Sequence, residues 1–158
     1  MKKLFITLFI SFLSLQGYAQ AVKLSDPEAY FSALIVENIE NSITWYTNNI
    51  GFEILNKKEY PEAGFKQANL KRGNVLIELI ELNSAISPKD AIANYNSKTR
   101  ITGFFKIGFL ISDFDKWISH LTTQRVEFHG TIVNQQESHK RMAIIKDPDG
   151  NRIQFFEK

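Results

Sequence analysis

The sequence contains no cysteine, which excludes disulfide bonds, thiol catalysis and thiolate metal sites. The same absence excludes a lipoprotein whose N-terminal cysteine is acylated. A domain without covalent cross-links depends on its apolar core for stability. The 13 phenylalanines supply much of that core.

A surplus of positive charge is also missing. The full chain has 19 Lys and Arg against 17 Asp and Glu, and removing Lys2 and Lys3 leaves 17 against 17. A neutral domain lacks the basic face that nucleic acids require, so we expect no nucleic-acid partner. The pairs Lys57-Lys58 and Lys71-Arg72 are interpreted as solvated loops.

The apolar run near the N-terminus is too short for a membrane span. It covers Leu4 to Leu15, whereas a spanning helix needs about 20 residues. A basic start precedes it, and Gly17-Tyr18-Ala19 offers small residues to a signal peptidase. We therefore predict a signal peptide over residues 1–20, an exported (periplasmic or secreted) domain over residues 21–158, and no membrane association after cleavage. An uncleaved N-terminal anchor is the alternative.

Familiar catalytic motifs are absent as well. The chain has no glycine-rich phosphate loop, no HExxH, no serine nucleophile elbow and no dinucleotide fingerprint. We therefore expect no cofactor.

The most informative stretch present is the C-terminal DPDGNRIQFFEK. Its DPDG segment is a tight-turn sequence, because proline fixes φ and Gly150 permits a positive φ. Apolar residues flank this turn on both sides, which predicts two antiparallel strands joined by a short loop.

The chain also contains an internal repeat. Residues 31–46 align without gaps onto residues 106–121, and each segment reads as an apolar strand followed by an amphipathic helix. Asn38 and Asp113 are good capping residues for these helices. Asn74–Glu81 likewise corresponds to Asn151–Glu157. The pattern predicts module one over about 30–82, a linker over 83–102 with a short central helix, and module two over about 103–157.

These segments resemble one family. Val36–Tyr46 with its Trp-Tyr pair, then Ile50-Gly51-Phe52, and finally Asp147–Gln154 are similar to the vicinal oxygen chelate superfamily, the glyoxalase, bleomycin-resistance and extradiol-dioxygenase group. The resemblance implies an α+β fold of two tandem βαβββ modules, whose curled mixed sheets surround a central cleft. It also implies a homodimer.

The resemblance further implies four cleft positions, which carry the metal ligands in metal-dependent relatives. They map here onto Phe31, Glu78, Lys106 and Gln154. Only Glu78 is an ordinary ligand, because phenylalanine offers no donor atom, protonated lysine no lone pair, and glutamine only a weak neutral oxygen. We therefore expect no metal. Lys106 either pairs structurally with Glu78, or binds an anionic ligand, or acts as a base whose pKa is lowered by burial.

The remaining candidates come from the residues themselves. His120 is expected in solvent on the polar face of the second helix, His129 at the start of a strand, and His139 in a hairpin loop. Plain packing and cleft lining are both open for the aromatic side chains of Tyr60, Phe65, Phe104 and Phe105.

Three functions follow from these expectations. The first is an exported, metal-free domain that binds a small molecule in the cleft between the modules. The second is a lyase, isomerase or dioxygenase that holds a divalent metal through non-standard ligands such as Glu78, Glu81 or His129. The third is a non-catalytic subunit that acts by dimerising. The loss of three ligand positions favours the first.

Overall fold

The computed structural model describes residues 29–96, 98–99, 102–136 and 140–158. The predicted signal peptide and His139 lie outside these residues. In the described part of the chain, every helix is too short or too polar to cross a membrane.

Module one has the predicted βαβββ order. Strand β1 (Ser32–Ile35) leads into helix α1 (Ile39–Trp45), which continues as a π-helical turn over Tyr46–Ile50. Strands β2 (Glu53–Tyr60), β3 (Phe65–Arg72) and β4 (Val75–Leu82) follow, and a 3-10 turn over Pro61–Ala63 joins the first two. The sheet order is β1-β4-β3-β2, with β1 parallel to β4 and the other pairs antiparallel.

Module two repeats this order. Strand β5 (Lys106–Ile111), helix α3 (Phe114–Thr123) and strands β6 (Val133–Asn134), β7 (Arg141–Lys146) and β8 (Arg152–Glu157) form the sheet β5-β8-β7-β6. Strands β5 and β8 are parallel, whereas β7 and β8 form the predicted hairpin, with Gly150 at a φ of 82°. The α+β fold with two mixed sheets is confirmed. Between the modules, the linker contains the short helix α2 (Pro88–Ala91).

One continuous core joins the helix-facing sides of both sheets. Ile39, Ile43 and Tyr46 on the α1 segment are buried, as their spacing predicts, and so are Phe114 and Leu121 on α3. All five belong to the same apolar cluster. Each sheet therefore uses one face for this core and turns its second face away from it.

The two helices begin differently. Asn38 accepts a hydrogen bond from the Asn41 N–H at 2.9 Å, so it caps α1 as predicted. Asp113 has a left-handed backbone (φ 48°) and makes no side-chain capping bond, so the prediction for this residue was wrong. Its carboxylate instead lies 3.6 Å from the Lys116 ammonium.

Candidate functional site

In module one, the two family positions share the sheet face that points away from the core. Ala33 is in register with Glu78 on the neighbouring parallel strand, and Phe31 lies two residues before Ala33. Because side chains alternate along a strand, Phe31 and Glu78 lie on the same face. The Phe31 side chain is 54% exposed, and the Glu78 carboxylate accepts a hydrogen bond from the Gln67 amide.

In module two, Lys106 and Gln154 likewise share the outer face of their sheet. Gly108, two residues after Lys106, is in register with Gln154 on β8. Gln154 is almost fully buried, and its amide nitrogen donates to the Met142 sulfur. Its Oε1 is buried without a partner, the only such side-chain atom in the described part of the chain.

The expected ion pair between Lys106 and Glu78 is not formed. Within the described residues, no carboxylate lies within 4.0 Å of the Lys106 ammonium. The two side chains belong to different sheets, and the modules are joined through their helix-facing sides rather than through these outer faces. The structural-pair interpretation of Lys106 was therefore wrong for a single chain.

Lys106 instead lies in a cationic cluster that surrounds an aromatic ring. Arg152 is in register with Lys106 on the adjacent strand, so the two cations are neighbours on one face. The Arg152 guanidinium carbon lies 4.6 Å from the centre of the Phe105 ring, and the Lys106 ammonium 5.9 Å from it. Arg152, like Lys106, has no ion-pair partner among the described residues, whereas Lys146 on the next strand pairs with Glu127.

Sequence reasoning missed Arg152, although a signal for it existed. Arg152 and Gln154 are two residues apart on a predicted strand, and such residues share a face. The contact of Phe105 with the Arg152 guanidinium supports cleft lining over plain packing for this residue.

The donor atoms present do not fit the divalent metal of metal-dependent relatives. Two of the four positions carry no ligand atom, and Lys106 and Arg152 would repel a metal cation at the second sheet. No group of three His, Asp or Glu side chains is close enough to hold a metal in the described ranges.

The non-standard metal ligands are separated as well. Glu81 faces the helix side of its sheet, opposite to Glu78, because the two residues are three positions apart on a strand whose side chains alternate between faces. There it accepts the Ile39 N–H at 2.7 Å and pairs with Lys66. The backbone hydrogen bond, followed by Lys66, lowers the pKa of Glu81. His129 belongs to the other module, where its backbone N–H donates to the Ile144 carbonyl. Glu78, Glu81 and His129 therefore do not converge on one metal site within a single chain.

Of the remaining candidates, His120 lies where the modules meet, whereas Tyr60 and Phe65 lie on β2 and β3 of module one. His120 is not simply solvated: its Nε2 lies 3.0 Å from the Asn49 carbonyl oxygen in module one. A carbonyl only accepts, so this nitrogen carries the proton. Tyr60 stacks on Phe65 at 4.5 Å, which supports packing for that pair.

A buried carboxylate links the end of β7 to the first helix. The Tyr46 hydroxyl donates to Asp147 at 2.9 Å, and the neighbouring Asp149 accepts from the Glu37 N–H and the Ser42 hydroxyl. Burial raises the pKa of Asp147, and burial together with Asp147 raises the pKa of Tyr46. The DPDG segment is thus both a turn and a contact between modules.

A cavity of about 550 Å³ also lies at this junction, and it is lined by none of the four family positions. Arg72 lines it and stacks on Trp117, with its guanidinium carbon 4.4 Å from the ring centre. The pairs Lys71-Arg72 and Lys57-Lys58 are exposed, as predicted, but they lie on strands β3 and β2 rather than in loops.

Two βαβββ modules, each presenting a pair of equivalent positions on its outer sheet face, define a two-module glyoxalase-type domain. The comparison with known families agrees. Residues 29–155 match the model of the Glyoxalase/Bleomycin resistance protein/Dioxygenase superfamily, and the chain belongs to this family.

The similarity to individual relatives within this family is low. The lactoylglutathione lyase of Neisseria meningitidis serogroup A is 27% identical over 130 residues, covering 79% of this chain and 86% of that protein. A glyoxalase family protein from Enterococcus faecalis superposes with a TM-score of 0.70 at 22% identity, covering 82% of this chain and 97% of that structure. A glyoxalase I mutant from Zea mays superposes with a TM-score of 0.65 at 20% identity, covering 82% of this chain and 45% of that chain. These structures share the fold.

Proposed function

We propose that this protein is a metal-independent binding domain of its superfamily, which recognises an anionic small molecule on the outer face of the second sheet. One observation carries the proposal. At one of the two metal-ligand positions of module two the residue is a cation, Lys106, and neither Lys106 nor the adjacent Arg152 has a carboxylate partner among the described residues.

The charges of this cluster favour an anion over a cation. Two neighbouring positive charges repel each other, and an anion placed between them relieves that repulsion. Arg152 offers a planar fork of N–H donors, and Lys106 offers a compact ammonium group. The Phe105 ring beside them gives the ligand an apolar contact surface.

The buried amide of Gln154 adds a polar group to the same face. Its Oε1 has no partner, and a buried acceptor left unsatisfied costs about 1–3 kcal/mol. Met142 covers the amide, and a methionine side chain is flexible enough to move aside. A ligand that carries both an anionic group and a hydrogen-bond donor satisfies Lys106, Arg152 and Gln154 together.

The first experiment separates metal binding from anion binding. Residues 21–158 are purified without chelators or a His tag, analysed for metal, and melted with and without Mn, Fe, Ni and Zn. We expect less than 0.1 metal per chain, a rough threshold for substoichiometric binding, and no metal-dependent rise in Tm. About one metal per chain, with a rise in Tm that EDTA reverses, would overturn the proposal.

The second experiment tests the anion directly. A panel of small carboxylates and phosphates is compared with their neutral amides or alcohols by calorimetry. We expect binding of at least one anion, lost in Lys106→Met and in Arg152→Gln and retained in Glu78→Gln, the control on the first sheet. Equal binding of the neutral compounds, or no loss in the two cation variants, would contradict this assignment.

A second candidate is a metalloenzyme related in activity to the lyase it resembles. The similarity to the Neisseria lactoylglutathione lyase favours it, and Glu78 retains a carboxylate at one ligand position. Stoichiometric metal that is lost in Glu78→Ala, together with lactoylglutathione formation by the loaded protein, would establish this activity. Turnover unchanged in Glu78→Ala would reject this role for Glu78.

We also propose that the protein forms a homodimer through its sheet edges. In the described part of the chain, β1 and β5 are each paired on one side only, and Phe31, Ile35 and Leu110 are exposed at 54%, 58% and 69%. Open edges that carry apolar side chains suit pairing with a second copy. Sedimentation velocity should show a dimer that Ile35→Glu or Leu110→Glu dissociates. A monomer at 100 μM, roughly 100-fold above the upper end of dissociation constants expected for such an interface, would refute it.

Export is the last part of the proposal and rests on the sequence of residues 1–20. N-terminal sequencing of the mature protein should find a start near Gln20 or Ala21. Comparison of periplasm and culture medium then distinguishes the two destinations. An intact N-terminus in the membrane fraction would instead establish the anchor.

A further inference from the structure

The junction between the modules contains a chamber that the proposed anion site does not use. It has a volume of about 550 Å³, and its apolar walls come from both modules, chiefly from Ile50, Phe52, Phe109, Trp117 and Phe155. Pockets that bury small organic molecules commonly measure about 300–1,000 Å³. The chamber therefore has the size and the walls of a small-molecule site.

Arg72 places a positive charge on the wall of this chamber. Its guanidinium stacks on Trp117, and partial burial lowers its pKa, although the residue keeps an exposed surface. No carboxylate lies within 4.0 Å of it among the residues that the structure describes. Arg141 provides the comparison: it also stacks on an aromatic ring, that of Phe114, but it pairs with two carboxylates. Arg72 thus has the stacking contact and lacks the counter-ion.

A second hollow of about 380 Å³ adjoins the chamber, since both are lined by Ile50, Arg72 and Trp117. The lining of this hollow is more polar and includes Lys116 and His120. Its one carboxylate, Asp113, lies 3.6 Å from the Lys116 ammonium. Arg72 therefore lies where an apolar chamber meets a polar rim, which is the arrangement that an amphipathic ligand requires.

We propose that the junction cavity binds a small apolar monocarboxylic acid, whose hydrocarbon body fills the chamber and whose carboxylate pairs with Arg72. The planar guanidinium matches the two carboxylate oxygens in a bidentate pair. A monoanion fits better than a doubly charged phosphate, because the apolar walls penalise the second charge. Neither Lys106 nor Arg152 lines this cavity, so a test of the carboxylate site at Arg72 is independent of the proposed anion site on the second sheet.

Calorimetry with matched ligands tests this site. Decanoate and 2-naphthoate represent alkyl and aryl acids, and decanol and 2-naphthalenemethanol are their uncharged counterparts. We expect one acid to bind with 1:1 stoichiometry and the matching alcohol to bind at least about 10-fold more weakly, because a charge-assisted pair is worth 1.5 kcal/mol or more. Whichever acid binds more tightly identifies the shape of the natural ligand.

Two substitutions locate the acid. Arg72→Gln should weaken acid binding at least about 10-fold and leave alcohol binding unchanged. Val75→Phe, at a partly exposed position that lines the chamber, should block acid and alcohol alike without lowering Tm. Arg152→Gln, in the other site, should change neither. The proposal is overturned by acid binding that survives Arg72→Gln, by loss of binding in Arg152→Gln, or by no binding of either acid at 1 mM, a concentration roughly equal to the weakest specific affinity considered.

Discussion

The hydrogen bond between Tyr46 and Asp147 offers the sharpest test of how the two modules hold together. It joins the first helical segment to the turn after β7 at an oxygen–oxygen distance of 2.9 Å. Tyr46 is 1% exposed and Asp147 is 5% exposed, so water cannot replace a partner that is removed. The substitution Tyr46→Phe deletes only the hydroxyl.

The contacts of the Asp147 carboxylate indicate how much free energy of unfolding Tyr46→Phe should remove. Oδ1 keeps its bonds from the backbone N–H groups of Asp149 and Asn151, whereas Oδ2 keeps only the Asn151 amide. A hydrogen bond to a charged group is worth about 1.5–3 kcal/mol. We therefore expect Tyr46→Phe to lower the free energy of unfolding by about 2 kcal/mol at pH 7.

The pH dependence of this loss follows from the pKa of Asp147. Burial holds that pKa above its usual value, and the Tyr46 hydrogen bond opposes the rise. Between the usual and the raised pKa, the folded state therefore binds more protons than the unfolded state, and stability falls as pH rises through that interval. Removing the hydroxyl raises the folded pKa further. The loss caused by Tyr46→Phe should thus be smaller below the interval, where Asp147 is neutral.

Urea unfolding at pH 7 and at pH 3, below the usual aspartate pKa of about 3.9, measures both effects. Tyr60→Phe is the control, because Tyr60 stacks on Phe65 and its hydroxyl has no hydrogen-bond partner among the described residues. It should change the free energy of unfolding by less than about 0.5 kcal/mol. Equal losses in the two variants, or no loss in Tyr46→Phe, would refute the reasoning.

Three further predictions follow from single contacts. Asn38→Ala removes the cap of α1 and should lower the free energy of unfolding by about 1 kcal/mol in urea; no change would show that the cap contributes nothing. Gln154→Met removes the unpartnered oxygen at similar volume and should leave stability unchanged or raise it by about 1 kcal/mol; a clear drop in Tm would show a missed partner. Hydrogen bonds from Arg141 lower the pKa of Glu157 to about 2. The stability that the ionised Glu157 carboxylate contributes is therefore fully present above the usual pKa of a glutamate and is lost as the pH falls toward 2. Glu157→Gln should therefore flatten this part of the acid decline of Tm, and an unchanged decline would contradict the assignment.

Patterns within short segments predicted much of the fold. The apolar spacing of Ile39, Ile43 and Tyr46 predicted the buried face of α1, and the DPDG segment predicted the β7–β8 hairpin. The repeat predicted two equivalent modules, and the two four-stranded sheets of matching order confirm a two-module fold. These features were readable because a helix face and a strand face are set by residues close in sequence.

Only the parts of the candidate site that lie within a single module were predicted correctly. Strand alternation places Phe31 beside Glu78, and Lys106 beside Gln154. The same alternation would have separated Glu81 from Glu78 and grouped Arg152 with Gln154. These residues could therefore have been assigned correctly from the sequence, given the strand register.

Contacts between the modules were decided by the tertiary structure alone. Arg72 of module one stacks on Trp117 of module two, and Asp147 of module two accepts a hydrogen bond from the Tyr46 hydroxyl of module one. Lys106 of module two forms no ion pair with Glu78 of module one among the described residues. The sequence by itself determined the two modules and the residues on each sheet face, because those depend on local periodicity. It could not determine which faces meet, because that choice depends on burying apolar side chains from distant segments in one shared core.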